Sequence, residues 1–139
     1  MRVLSTRFIS TRGQAPEVSL SAALAAGLAP DGGLYLAQSW PQFSAADFDG
    51  LGGLPAIAER LLQPLFLGDS LADDLPAICR EALTIPLPFK TLPLPNSWLL
   101  ELFHGPTAAF KDFGARFLAA CLHRLERGAA SPLDRKSVV

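Results

Sequence analysis

Glu101-Leu102-Phe103-His104-Gly105-Pro106-Thr107-Ala108-Ala109-Phe110-Lys111-Asp112-Phe113-Gly114 is the stretch on which the fold turns. An apolar run, Ser97 to Phe103, leads into it; short, rich in large side chains and bounded by turn formers, it predicts a strand. His104-Gly105-Pro106-Thr107 breaks that strand, because Gly and Pro together punctuate a chain. Beyond the break, Phe113, Phe117, Leu118, Cys121, Leu122 and Leu125 fall on one face at helical spacing, and Gly128 is the expected stop. Lys111 therefore lies at or just before the first turn of a helix. That position favours anions, so a lysine there is unusual. Flanking Phe110 and Phe113 predict a desolvated amine, which together with the helix dipole lowers its pKa; Asp112 opposes this. A neutral amine can attack an aldehyde, and backbone N–H groups at a helix start can receive phosphate. The segment lacks the second glycine before the lysine and the Ser/Thr after it, so it is not a P-loop.

Working outward, Ile85 to Asn96 carries four prolines and reads as a stiff, extended connector and a domain boundary. Before it the pattern is mostly helical. Ser19 caps a short helix that Gly27 ends. Ala29 to Gly33 is a turn before a short strand, Leu34 to Leu36. Ser44 starts a brief helix. Leu54, Ile57, Ala58, Leu61, Leu62, Leu65 and Phe66 form a helical stripe with Pro55 near its start and Gly68 at its end. A third helix begins at Ser70 or Asp74 and runs to Leu83; Pro76 favours the later start. Val3 to Gly13 reads as a strand or extended arm. Ala129 to Asp134 is a loop, and Arg135 to Val139 the beginning of another strand, so the end of the chain reads as an unfinished βαβ unit.

Composition narrows the function. The chain has 139 residues and a net charge of −1, which gives no electrostatic footprint for nucleic acid. No basic run suggests a membrane surface, no 18-residue apolar run suggests a membrane span, and no apolar leader is seen, so the cytoplasm is the expected compartment. Cys79 and Cys121 lack metal spacing and read as two buried, reduced thiols. Only 18% of residues are charged, against about a quarter in an ordinary domain. Apolar faces that expect more protein would look like this.

His104 to Gly114 resembles the pyridoxal-phosphate lysine segment of threonine synthases. Ala108 departs from it, where that family usually carries a larger aliphatic residue. Ser10-Thr11-Arg12-Gly13 and the stretch Gly27 to Tyr35 are similar to the amino-terminal domain of the same family. The resemblance implies a fold-type II pyridoxal enzyme, α/β with the cofactor between two domains. This chain would supply an α+β portion: a small, mostly helical domain over 1–84, the connector 85–96, and the beginning of the catalytic domain over 97–139. It implies pyridoxal 5'-phosphate on Lys111 as a Schiff base, and a lyase that converts O-phospho-L-homoserine and water to L-threonine and phosphate. The freed Lys111 amine would move protons. Phe110 is a candidate to pack beside the cofactor ring, Thr107 to orient the lysine loop, and His104 to contact substrate phosphate; Asp112 is read as stabilising the helix start. A phosphate cradle, a partner for the ring nitrogen and an Arg-rich clamp are not found. In the family they lie downstream, so the expectation is an amino-terminal portion, inactive without the remainder of the enzyme. Two other readings stand beside it: a non-catalytic interaction module, and another fold-type II pyridoxal enzyme of amino-acid metabolism.

Overall fold

The computed structural model describes residues 6–128. Its amino-terminal strand β1, Phe8–Ser10, pairs antiparallel with β2, Tyr35–Ala37, in the register Phe8 to Ala37 and Ser10 to Tyr35. Between them lies helix α1, Leu20–Ala26. Ser19 caps it by accepting from the Ala22 N–H at 3.2 Å, and Gly27 ends it, as its sequence predicts. A 3-10 turn, Ala45–Phe48, precedes α2, Gly53–Phe66. Helix α3, Leu75–Ala82, starts at the later of its two expected positions, with Pro76 in its first turn. Strands β3, Phe89–Thr91, and β4, Trp98–Leu100, form an antiparallel hairpin, and α4, Lys111–Gly128, follows.

The connector differs from its sequence reading. Phe89 to Thr91 is free of proline, so its N–H groups can join a ladder, and the chain turns back through Pro93 to Asn96 onto β4. Asn96 takes a positive φ of 52°, which asparagine tolerates in turns. Phe89 stacks on Trp98, ring centroids 6.1 Å apart. The strand expected over Ser97 to Phe103 is thus shorter, and its partner is antiparallel. The βαβ unit does not occur among the described residues; the expected strand Arg135 to Val139 and the residues before Thr6 lie outside them.

The core sits between helices. Helix α3 packs against α2 on one side and α4 on the other, and α4 also packs against α1. Leu71, Leu75, Ile78, Cys79 and Cys121 are its largest fully buried side chains, with Phe66 close behind. Phe117 meets Phe66 edge to face at 6.2 Å. The buried stripe of α4 is narrower than its apolar face, for Leu118 is 41% exposed. Arg116 of α4 secures the packing. Its Nε donates to the Ala82 carbonyl at 3.0 Å and its Nη2 to the Thr84 hydroxyl at 2.9 Å, satisfying acceptors left over where α3 ends. Arg124 pairs with Glu81 of α3 at 3.0 Å.

Cys79 and Cys121 are free and buried, as expected. Burial pushes both thiols up to about 11. At pH 8 only about one thiol in a thousand would then be ionised even where reagent could reach it. We expect neither to react with a disulfide reagent at pH 8 until denaturant is added, when both titrate. Rapid labelling of the native protein would contradict this core. Among the described residues, no helix is long and apolar enough to cross a membrane.

Candidate functional site

The loop from Glu101 to Phe110 carries β4 into α4, and two buried carboxylates fix its ends. Asp112, 8% exposed, lies in the first turn of α4. Its Oδ2 accepts from the Thr107 backbone N–H at 2.9 Å and its Oδ1 from the Thr107 hydroxyl at 2.7 Å. These bonds, the side-chain one foremost, hold its carboxyl below the ordinary value. A carboxylate here also suits the helix dipole, so Asp112 does stabilise the helix start, as its sequence position predicts. It does more, because the same oxygens tie down the loop ahead of the lysine. Gly105 makes the closure possible: a Cβ there would overlap the Asp112 carboxylate, with Asp112 Cγ only 2.8 Å away. Ala108 takes φ 54°, a left-handed conformation that costs an alanine roughly 1 kcal/mol. Both bonds to Asp112 tie Thr107, four residues before Lys111, to the first turn of α4.

Glu101, 6% exposed, fixes the other end. Its Oε1 meets Lys90 Nζ of β3 at 2.7 Å, and its Oε2 meets His104 Nε2 at 2.6 Å. Hydrogen bonds from Lys90 and then His104 hold the Glu101 carboxyl below its ordinary value. The His104 ring stacks on Phe103 at 4.7 Å. The sequence reading singled out His104 and missed Glu101. The available signal was an acidic residue inside an apolar strand, three positions before a histidine. Gly105 was likewise legible only as a turn former.

Lys111 is the first residue of α4, where the helical pattern puts it. The expected desolvation is not met. Lys111 is exposed, and Phe110 is 65% exposed. Phe113 is only half-buried. The arrangement is a reachable amine on a rigid helix start, with the loop before it locked from both sides. Among the described residues, no group of acidic, histidine and cysteine side chains could hold a metal ion.

The two amino-terminal segments singled out in the sequence come together in space. The Asp31 carboxylate accepts from the Ser10 hydroxyl at 2.7 Å, the Gly33 N–H at 2.9 Å and the Gln14 N–H at 3.0 Å, while Arg12 donates to the Asp31 carbonyl at 2.9 Å. The tight turn is packed so closely that a Cβ on Gly33 would overlap the Ser10 hydroxyl. This is structural chemistry, remote in sequence from Lys111.

Known proteins resemble this chain over most of its length. A model of the threonine synthase N terminus matches residues 7–83. The threonine synthase of Pseudomonas aeruginosa is 43% identical over 123 residues, covering 84% of this chain and 26% of that protein. Among solved structures, a pyridoxal-phosphate-bound threonine synthase from Brucella melitensis superposes with a TM-score of 0.77 at 40% identity, covering 89% of this chain and 28% of that one. Threonine synthase from Escherichia coli gives 0.72 at 32% identity, covering 86% and 28%. The chain thus spans about a quarter of the length of the relatives it matches. Since the matched model alone takes in more than half of the 139 residues, the chain belongs to the threonine synthase family.

Proposed function

We propose that this chain is the amino-terminal part of a threonine synthase, a fold-type II pyridoxal-phosphate lyase that converts O-phospho-L-homoserine and water to L-threonine and phosphate. The observation that carries the reading is Lys111, a reachable amine on the first residue of α4, at the end of a loop tied down by Asp112. The residues fit pyridoxal phosphate: the amine is open to an aldehyde, and exposed Phe110 beside it offers an apolar face to a ring. When bound, that cofactor supplies an electron sink for carbanions beside the amino-acid α and β carbons. Lys111 would hold it, and its amine is the group that would move protons to and from the substrate. Thr107 and Asp112 keep the lysine loop in one shape, and His104 meets the substrate phosphate.

Residues 85–96 are proposed as the boundary between the amino-terminal domain and the catalytic one. The partner is the remainder of the enzyme, and the compartment the cytoplasm. The exposed faces of β3 and β4 support the first of these. Phe89 is 65% exposed, Trp98 52% and Leu100 45%, on a two-stranded hairpin that is marginal in water without a covering layer. Covering this end of the molecule would also desolvate Lys111, and the isolated chain is accordingly inactive.

The test uses the chain extended to the length of its relatives. Borohydride reduction with the cofactor present, followed by mass mapping, is expected to place the adduct on Lys111, and the enzyme to release phosphate from O-phospho-L-homoserine. An adduct on another lysine removes the assignment. Labelling of Lys111 without phosphate release leaves another pyridoxal enzyme of the same fold.

A further inference from the structure

The Glu101 carboxylate spans two elements and the lysine loop at once. It is buried, it holds one partner on each oxygen, and its own N–H donates to the Pro88 carbonyl at 3.0 Å. An ionised carboxylate can only accept, so the atom facing it on His104, Nε2, has to donate. That settles which ring nitrogen carries the proton, and Nδ1 is the atom left to meet a ligand. Lys90 keeps Glu101 ionised from the opposite side and ties its position to β3. The ring is held in this orientation by the bond at Nε2 and by stacking on Phe103.

We propose that Glu101 is a positioning residue, which fixes His104 as the Nε2-protonated ring and so presents Nδ1 to the phosphate-bearing substrate. The proposal rests on the function read above. In that tautomer Nδ1 is a lone-pair acceptor, and it takes a hydrogen bond from the P–OH of the substrate's phosphate monoanion. Glu101 itself touches no substrate; it acts through His104 alone.

This dependence can be measured. In the extended enzyme, Glu101→Gln is expected to raise KM for O-phospho-L-homoserine by roughly 10-fold, the scale of an outer partner that orients a ligating histidine. The cofactor content, read from its absorbance, stays that of the wild type. In His104→Ala the same Glu101→Gln change is expected to cost less than about twofold more, because the residue it works through is gone. Losses that multiply in the double variant overturn the proposal and leave Glu101 a structural residue. A second readout needs no turnover: 15N shifts of His104, assigned by difference from His104→Ala, should show the ring protonated at Nε2 in the free enzyme. A ring protonated at Nδ1 alone overturns the proposal even if Glu101→Gln fails to fold. A wild-type enzyme that releases no phosphate sinks the functional reading instead, and leaves the tautomer measurement intact.

Discussion

Gly105→Ala is expected to strip at least about 100-fold from kcat/KM of the extended enzyme, the scale of a misplaced catalytic group. The same change should destabilise the fold by roughly 1–3 kcal/mol, as forced overpacking does. The new methyl overlaps the Asp112 carboxylate, and Asp112 Cβ at 2.7 Å and Cγ at 2.8 Å leave it no path between them. Asp112 cannot retreat cheaply, since it lies in the first turn of α4 and its burial allows no free rotamer. Moving it breaks both bonds to Thr107, and the loop that orders Lys111 comes loose. Gly114→Ala supplies the control. It lies in the same helix with nothing within 4 Å of a new Cβ, so it should stabilise α4 by about 0.5–1 kcal/mol and leave the loop alone. Thermal melts and steady-state kinetics of the two variants decide it. Equal behaviour of the two alanines would show that the Thr107–Asp112 contact does not order the site.

Ile78→Ala is the second large effect. Ile78 is fully buried at the centre of α3, the helix shared by α2 and α4. Removing three carbons there forfeits their transfer free energy and opens a cavity in the buried cluster that also holds Phe66, Leu75, Cys79 and Cys121, with a cost of about 2–5 kcal/mol. For a chain of this size that corresponds to a drop in Tm of roughly 6–25 °C. The cysteines should report it as well, becoming reactive at lower denaturant. A loss below about 0.5 kcal/mol would mean that α3 is not the central helix of the core.

Much of this was legible in the chain. Ser19, Gly27 and Pro76 place helix ends because each acts on its own backbone. The position of Lys111 followed from the strand, the Gly-Pro break and the helical stripe, all local signals. Contacts across sequence were not legible. The strand Phe89 to Thr91 was hidden among prolines because pairing depends on a partner, not on composition. The burial of Glu101 needed Lys90 and His104 on both its oxygens, and the Gly105–Asp112 approach is a matter of ångströms that no spacing rule encodes. The amine was expected to be dry because two phenylalanines flank it. Side chains adjacent in sequence leave a helix in different directions and do not cover one another, and one of these two is 65% exposed.

The Arg116 guanidinium joins the tail of α3 to the helix that begins with Lys111, five residues earlier. Residues such as Ala82 and Thr84, distant in sequence from the lysine loop, thereby help set where the Lys111 amine stands. A mutational survey of the extended enzyme, scored on the activity proposed above, should therefore recover changes there alongside those at the lysine itself, and distance from Lys111 would be a poor guide to which alleles matter.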